Sequence, residues 1–155
     1  MKKLTLLALA LAGAFALAQG ADPWAGTWKF DAAKSKLHGP APKDEVVTSQ
    51  GTGPARDTVK YSVRGTAADG TAIEESFDGK SDGQPYPFMA GGKEVAKISY
   101  HRDSANQYSS HGTSSDGTTT TGTVTLSKDG KTITVQEHVK GPQGEFDETV
   151  VYNKQ

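Results

Sequence analysis

The sequence contains no cysteine, so neither a disulfide nor a thiolate site is available to it. Aromatic residues are sparse, at 8% of 155 positions, and tryptophan and methionine occur twice each. Hydrophobic residues reach 34%, but a dense run of them fills the first eighteen positions and leaves the remainder lean. No cationic excess exists either: 17 Lys and Arg face 18 Asp and Glu, a net charge of −1. Setting Lys2 and Lys3 aside makes the remainder more acidic, which excludes a broad polycationic surface and generic nucleic-acid binding. After residue 18 no stretch is apolar enough to span a membrane, and no stretch of twelve residues carries a helical apolar period. The length suits one domain.

What is present begins with a leader. Lys2 and Lys3 precede an almost wholly apolar run from Leu4 to Phe15, and Ala16-Leu17-Ala18 supplies small residues where a signal peptidase reads. The run is too short to cross a ~30 Å hydrocarbon core. Residues 1–18 are expected to be a cleaved secretory signal peptide. Residues 19–155 then form one exported domain, periplasmic or extracellular, held together without disulfides.

Turn signals recur along that domain. Asp69-Gly70, Asp78-Gly79, Asp82-Gly83, Asp116-Gly117 and Asp129-Gly130 all pair residues that tolerate positive φ. Between them lie runs rich in Val, Thr, Ile, Tyr and Phe, which predict antiparallel strands. These cover Trp24–Phe30, Asp44–Ser49, Arg56–Arg64, Thr71–Phe77, Lys93–Arg102, Gln107–Thr113, Thr119–Ser127, Thr132–Val139 and Glu145–Asn153. Gln84–Phe88 is a tenth whose Pro85 and Pro87 cannot donate to a ladder. Asp31–Leu37 has room for one or two helical turns. Alternation puts Val59, Tyr61 and Val63 on one face, as it does Ile73, Glu75 and Phe77. Ala96, Ile98, Tyr100 and Arg102 follow the same rule, then Val124 and Leu126. Ile133, Val135, Glu137 and Val139 continue it, and so do Phe146, Glu148, Val150 and Tyr152. One apolar face per strand, with no helix to form a second layer, predicts an all-β, single antiparallel up-and-down β-barrel of nine or ten strands.

The ends of the domain carry a resemblance. Gly26-Thr27-Trp28-Lys29 opens the first strand and Val151-Tyr152-Asn153-Lys154 closes the last. This bracketing resembles the calycin barrels, lipocalins and especially fatty-acid-binding proteins. The opening segment, with Ala33-Lys34-Ser35-Lys36, is also similar to small exported bacterial proteins with lipocalin-like barrels. The resemblance implies that Trp28 closes one barrel end, that Gly26 gives room where backbones meet, and that Tyr152 points inward. Two departures separate the chain from the fatty-acid carriers. Val150 stands where those proteins place an arginine that clamps a carboxylate. Asp31–Lys43, with Pro40 and Pro42, is too short for their two-helix lid. The lipocalin-like fold is therefore implied without the fatty-acid function.

No reactive constellation emerges from the sequence. There is no Gly-x-Ser-x-Gly elbow, and Ser109-Ser110-His111 alternates across a strand. Glu74-Glu75 fails as an acid–base pair for the same reason. A hairpin turn over Asp103–Asn106 puts His101 and His111 on opposite faces, and no metal-ligand spacing appears among the histidines. No catalytic residue, metal or cofactor is expected. The anomaly is charge at inward parity: Glu75, Glu137, Glu148 and Arg102 must pair, reach water or line a wet cavity.

The leading expectation is an exported, non-catalytic barrel binding a small apolar or amphipathic ligand. Its lining set is Tyr61, Ile73, Phe77, Ile98, Tyr100, Val135, Phe146 and Tyr152, with Glu75, Arg102, Glu137 and Glu148 orienting a polar head. Tyr86, Phe88 and Met89 are candidates for a lid over the mouth. The competing expectation is a filled barrel that serves as a protein-interaction or inhibitor module of the cell envelope. A cavity above roughly 300 Å³ separates the two.

Overall fold

A computed structural model describes residues 20–155, so the expected signal peptide lies outside the described residues. Ten strands run in chain order: β1 (Gly26–Phe30), β2 (Asp44–Ser49), β3 (Thr58–Thr66), β4 (Ala72–Lys80), β5 (Asp82–Ala90), β6 (Lys93–Ser104), β7 (Gln107–Ser114), β8 (Thr119–Leu126), β9 (Thr132–Gly141) and β10 (Gly144–Lys154). Each pairs antiparallel with its neighbours in sequence, and β1 pairs with both β2 and β10. The result is a closed up-and-down barrel with no free sheet edge. Among the described residues no helix is long and apolar enough to cross a membrane.

The hairpins follow the turn chemistry. Gly70, Gly117 and Gly130 take positive φ, and the preceding Asp69, Asp116 and Asp129 accept bonds from the amides of Thr71, Thr118 and Lys131. Asp78-Gly79 departs from the expected pattern, because it lies inside β4. Gly79 serves close approach there: a Cβ would stand 2.6 Å from Cγ of Tyr86. β5 is a full strand through its two prolines, but its ladder with β4 holds only at Phe88, Met89 and Ala90. That ladder stops where the prolines begin, since proline cannot donate. Of the one or two helical turns expected over Asp31–Leu37, a single turn forms, with the Asp31 carbonyl accepting from the amides of Lys34 and Ser35. The chain leaves β1 at Asp31 and returns at Lys36 to bridge Thr149 of β10.

A β-bulge between Arg102 and Ser104 moves the β6–β7 register by one residue from the sequence expectation. Arg102 faces Tyr108 and Ser99 faces His111, so His101 and His111 share the outer face and both are exposed. This corrects their expected placement on opposite faces.

The core is concentrated at one end of the barrel. Trp28 is fully buried and clusters with Trp24, Tyr108, Leu126 and Ile133. Trp24 precedes β1 instead of belonging to it, and acts as a plug. Its indole N–H donates to the Ala105 carbonyl at 3.0 Å, and its ring meets Tyr108 edge-on with centroids 4.9 Å apart. Asp22 fastens the plug by accepting from the Thr52 amide and hydroxyl, both at 2.6 Å, and from the Trp24 amide. Burial pushes the Asp22 carboxyl up, but the Thr52 hydroxyl and amide and the Trp24 amide outweigh it and hold it below its ordinary value. Gly26, with φ +133°, gives room to the Lys154 side chain, whose ammonium lies 4.9 Å from the Trp28 ring centroid. Trp28 thus lies in the buried cluster at this end, and Gly26 is approached by the Lys154 side chain.

Candidate functional site

Above the Trp28 floor the barrel encloses a cavity of about 340 Å³. Its wall is built by strand alternation: Val47 from β2, Val59 and Tyr61 from β3, Ile98 and Tyr100 from β6, Val124 from β8, Val135 from β9, and Val150 and Tyr152 from β10. Trp24, Trp28 and Tyr108 line the deep end, while Glu75 and Glu137 enter from β4 and β9. A second compartment of about 440 Å³ shares Phe88, Ile98, Tyr100 and Glu137 with the first. Ser110, Gly112, Ser114 and Thr120 line it, so small polar side chains form the interior towards the far rim.

The tyrosines organise the middle of the cavity. The Tyr61 and Tyr100 hydroxyls bond to each other at 2.9 Å. Burial lifts both, Tyr100 to about 12, so they stay neutral donors and acceptors at physiological pH. Phe77, only 1% exposed, packs behind them against Tyr61, Tyr86 and Tyr100. Tyr152 reaches across β1 and donates its hydroxyl to Glu45 Oε1 at 2.5 Å. Burial, together with the nearby Glu45 carboxylate, raises the Tyr152 hydroxyl far above its usual range. At the deep end Tyr108 is 5% exposed and its hydroxyl has no hydrogen-bond partner among the described residues.

Carboxylates gather at the end opposite the floor. Glu137 and Glu148 are direct cross-strand partners on β9 and β10. Burial raises the Glu137 carboxyl, and the Glu148 charge adds to the shift. Burial likewise raises Glu75, with Glu45 adding to it. Gly122 of β8, opposite Glu137, is needed for this packing. A Cβ there would lie 2.4 Å from the Gln136 carbonyl and 3.0 Å from Glu137 Cγ.

The residues expected from sequence to form the site fall into four groups. Tyr61, Glu75, Ile98, Tyr100, Val135, Glu137 and Tyr152 come together around the main cavity. Phe77 packs behind that wall, and Ile73 is half-buried near the start of β4 without lining the cavity. Phe146 and Glu148 stand at the rim, where the His38 ring stacks on Phe146 at 4.1 Å and the His38 amide donates to Glu148. Arg102 is the clear displacement, since it lies at the floor end, away from the glutamates. It donates to the carbonyls of Arg56, Ser104 and Ala105, and its guanidinium sits 5.7 Å from the Tyr108 ring centroid. Ile98 and Arg102 share a face, yet four residues carry Arg102 roughly 13 Å further along the strand.

The lid expectation is also corrected. Tyr86, Phe88 and Met89 are part of β5 and so form wall. Tyr86 donates to its own strand's Asp82 at 2.8 Å, and Phe88 lines both compartments. Met89 pairs with Ser76 and takes the face opposite to Phe88. Sequence reasoning missed Asp22, Trp24, Glu45 and Thr52. Glu45 was legible from the alternation Glu45, Val47, Ser49, whereas the Asp22–Thr52 clasp joins irregular segments that carry no periodic signal.

Fold and cavity together define the class: a closed ten-stranded antiparallel barrel with an internal chamber. No protein-family model matches the chain, and no curated protein matches it. Solved structures do. A redesigned β-barrel matches with a TM-score of 0.52 at 14% identity, covering 86% of this chain and 92% of that one. A second redesigned barrel, bound to DFHBI, matches with a TM-score of 0.46 at 14% identity over 85% of this chain and 95% of its own. A de novo designed fluorescence-activating barrel gives 0.46 at 16% identity over 87% and 97%. The first of these likenesses supports the barrel fold and nothing finer.

Proposed function

We propose that this protein is an exported, non-catalytic barrel that carries one small amphipathic molecule in its interior. The observation that supports this best is the chamber of about 340 Å³, with valines, isoleucines and aromatic faces for walls and a few convergent polar groups. That size and chemistry match sites for small ligands. A filled barrel acting through its outer surface would leave no void of this size, which weighs against the interaction-module reading. The Gly26–Trp28 opening and the Tyr152 closing strand support a calycin-type barrel. The basic and apolar leader ending at Ala18 supports delivery to the periplasm or the medium. Fold alone does not dictate activity, so the proposal rests on the chamber. Native mass spectrometry of the protein purified from its own envelope tests it. A reproducible co-purifying small molecule is expected. Repeated absence of any adduct, with a stable protein partner in its place, would overturn the carrier reading.

A further inference from the structure

The carrier reading leaves the chemistry of the guest open, and the distribution of charge inside the barrel narrows it. Four glutamates of inward parity, Glu45, Glu75, Glu137 and Glu148, stand on the side of the chamber away from Trp28. Glu45 accepts from Tyr152, and Glu148 accepts from the His38 amide. Glu75 and Glu137, the two that line the chamber, have no hydrogen-bond or ion-pair partner among the described residues. The ion pairs of the described residues involve other acids: Asp31, Asp57, Asp78, Glu145 and Asp147. The cations of inward parity sit at the floor. Lys154 covers Trp28 and donates to the Pro23 carbonyl, and Arg102 is held by three carbonyls.

This arrangement works against the empty barrel. Like charges directly opposite on neighbouring strands are destabilising, and Glu137 faces Glu148. A half-buried carboxylate without a partner costs more than one in water. At the floor end the Tyr108 hydroxyl is a second polar group left without a protein partner among the described residues, and it bears on the chamber being open to a guest and not on the guest's charge. It belongs to a side chain 5% exposed, lines the same chamber, and has no partner. A core optimised only for stability would hold a phenylalanine there. Among the described residues no three His, Asp or Glu side chains converge as a set that could hold a metal ion.

We propose that the guest is an amphipathic organic cation, its ammonium group at the end of the chamber that Glu75 and Glu137 enter from opposite walls, and its apolar body running past Ile98 and Val135 towards Trp28. The Tyr61 and Tyr100 rings add faces that attract an ammonium group. The inference rests on the carrier reading, and the test separates the two.

Three probes of equal chain length, dodecyltrimethylammonium, dodecanol and dodecanoate, are titrated below their aggregation concentrations at neutral pH. Binding is followed through the fluorescence of Trp24 and Trp28 and by calorimetry. Two double variants accompany the natural protein: Glu75→Gln with Glu137→Gln inside, and Glu74→Gln with Asp147→Asn outside. The ammonium probe is expected to bind about tenfold tighter than dodecanol or better, with dodecanoate the weakest. The inner variant should bring the three probes within about threefold of one another while keeping dodecanol affinity, which shows that it still folds. The outer variant should preserve the preference. Dodecanol binding without an ammonium preference overturns the cation inference alone, and so does a preference that survives in the inner variant. Failure of all three probes to bind overturns the carrier reading itself.

Discussion

The two ends of the barrel are built on opposite principles. At the floor, Trp24, Trp28, Tyr108, Leu126 and Ile133 are all buried, and polar groups there are mostly satisfied by Asp22, Arg102 and Lys154. Towards the rim the interior turns to glutamate, serine, threonine and glycine, and its carboxylates face each other. A barrel without disulfides must obtain its stability from packing and hydrogen bonds. Concentrating that stability at one end leaves the other free to carry charge that would be intolerable in a dry core.

The largest effect that can break this contrast is at the floor. Trp28→Ala should cost about 3–5 kcal/mol, read as a lower midpoint in chemical denaturation, because it removes the only fully buried indole. A loss well under that would mean that the floor does not anchor the fold. Asp22→Ala, which frees the plug by removing three accepted hydrogen bonds, should cost about 2 kcal/mol at pH 7. The Asp22 carboxyl lies below its ordinary value of 3.8, so its contribution is present above that value and is lost as pH falls below it.

Smaller changes at the other groups should run the opposite way. Tyr108→Phe removes a buried hydroxyl without a partner and should stabilise the empty protein by about 1 kcal/mol. Glu137→Gln should stabilise by up to about 1 kcal/mol at pH 7 by ending the opposition with Glu148. The Glu137 carboxyl lies above its ordinary value of 4.5, so protonation favours the folded state. Thermal unfolding should therefore show the natural protein gaining on the variant as pH falls towards the ordinary value of 4.5, below which the variant's advantage is gone. A variant less stable than the natural protein across that range would mean that Glu137 is satisfied in the fold.

Where each element was legible depends on whether its cause was periodic. Asp44–Ser49 matched β2 residue for residue, and alternation placed Tyr61, Ile98, Val135 and Tyr152 on the chamber wall. The Trp28 floor was an expectation of the calycin resemblance carried by the Gly26–Lys29 opening, and the inward glutamates came from parity alone. What parity could not supply was position along the strand, and so Arg102 was grouped with carboxylates at the other end. A single bulged residue at Asp103 moved the β6–β7 register, and a local insertion of that kind leaves no mark in the alternation. Asp78-Gly79 carries the same dipeptide as the true turns but serves the approach of Tyr86. The plug depends on contacts between residues far apart in sequence, such as Asp22 with Thr52 and Trp24 with Ala105.

The most direct test of the account is to narrow the chamber from within. Val135 lines it between Ile133 and Glu137, and Val135→Trp would push an indole into the space while leaving the glutamates and the floor residues themselves unsubstituted. With the far-ultraviolet spectrum of the barrel retained, dodecanol affinity should fall about tenfold or more relative to the natural protein. Unchanged affinity in a folded Val135→Trp variant would place the guest outside the barrel and contradict the account.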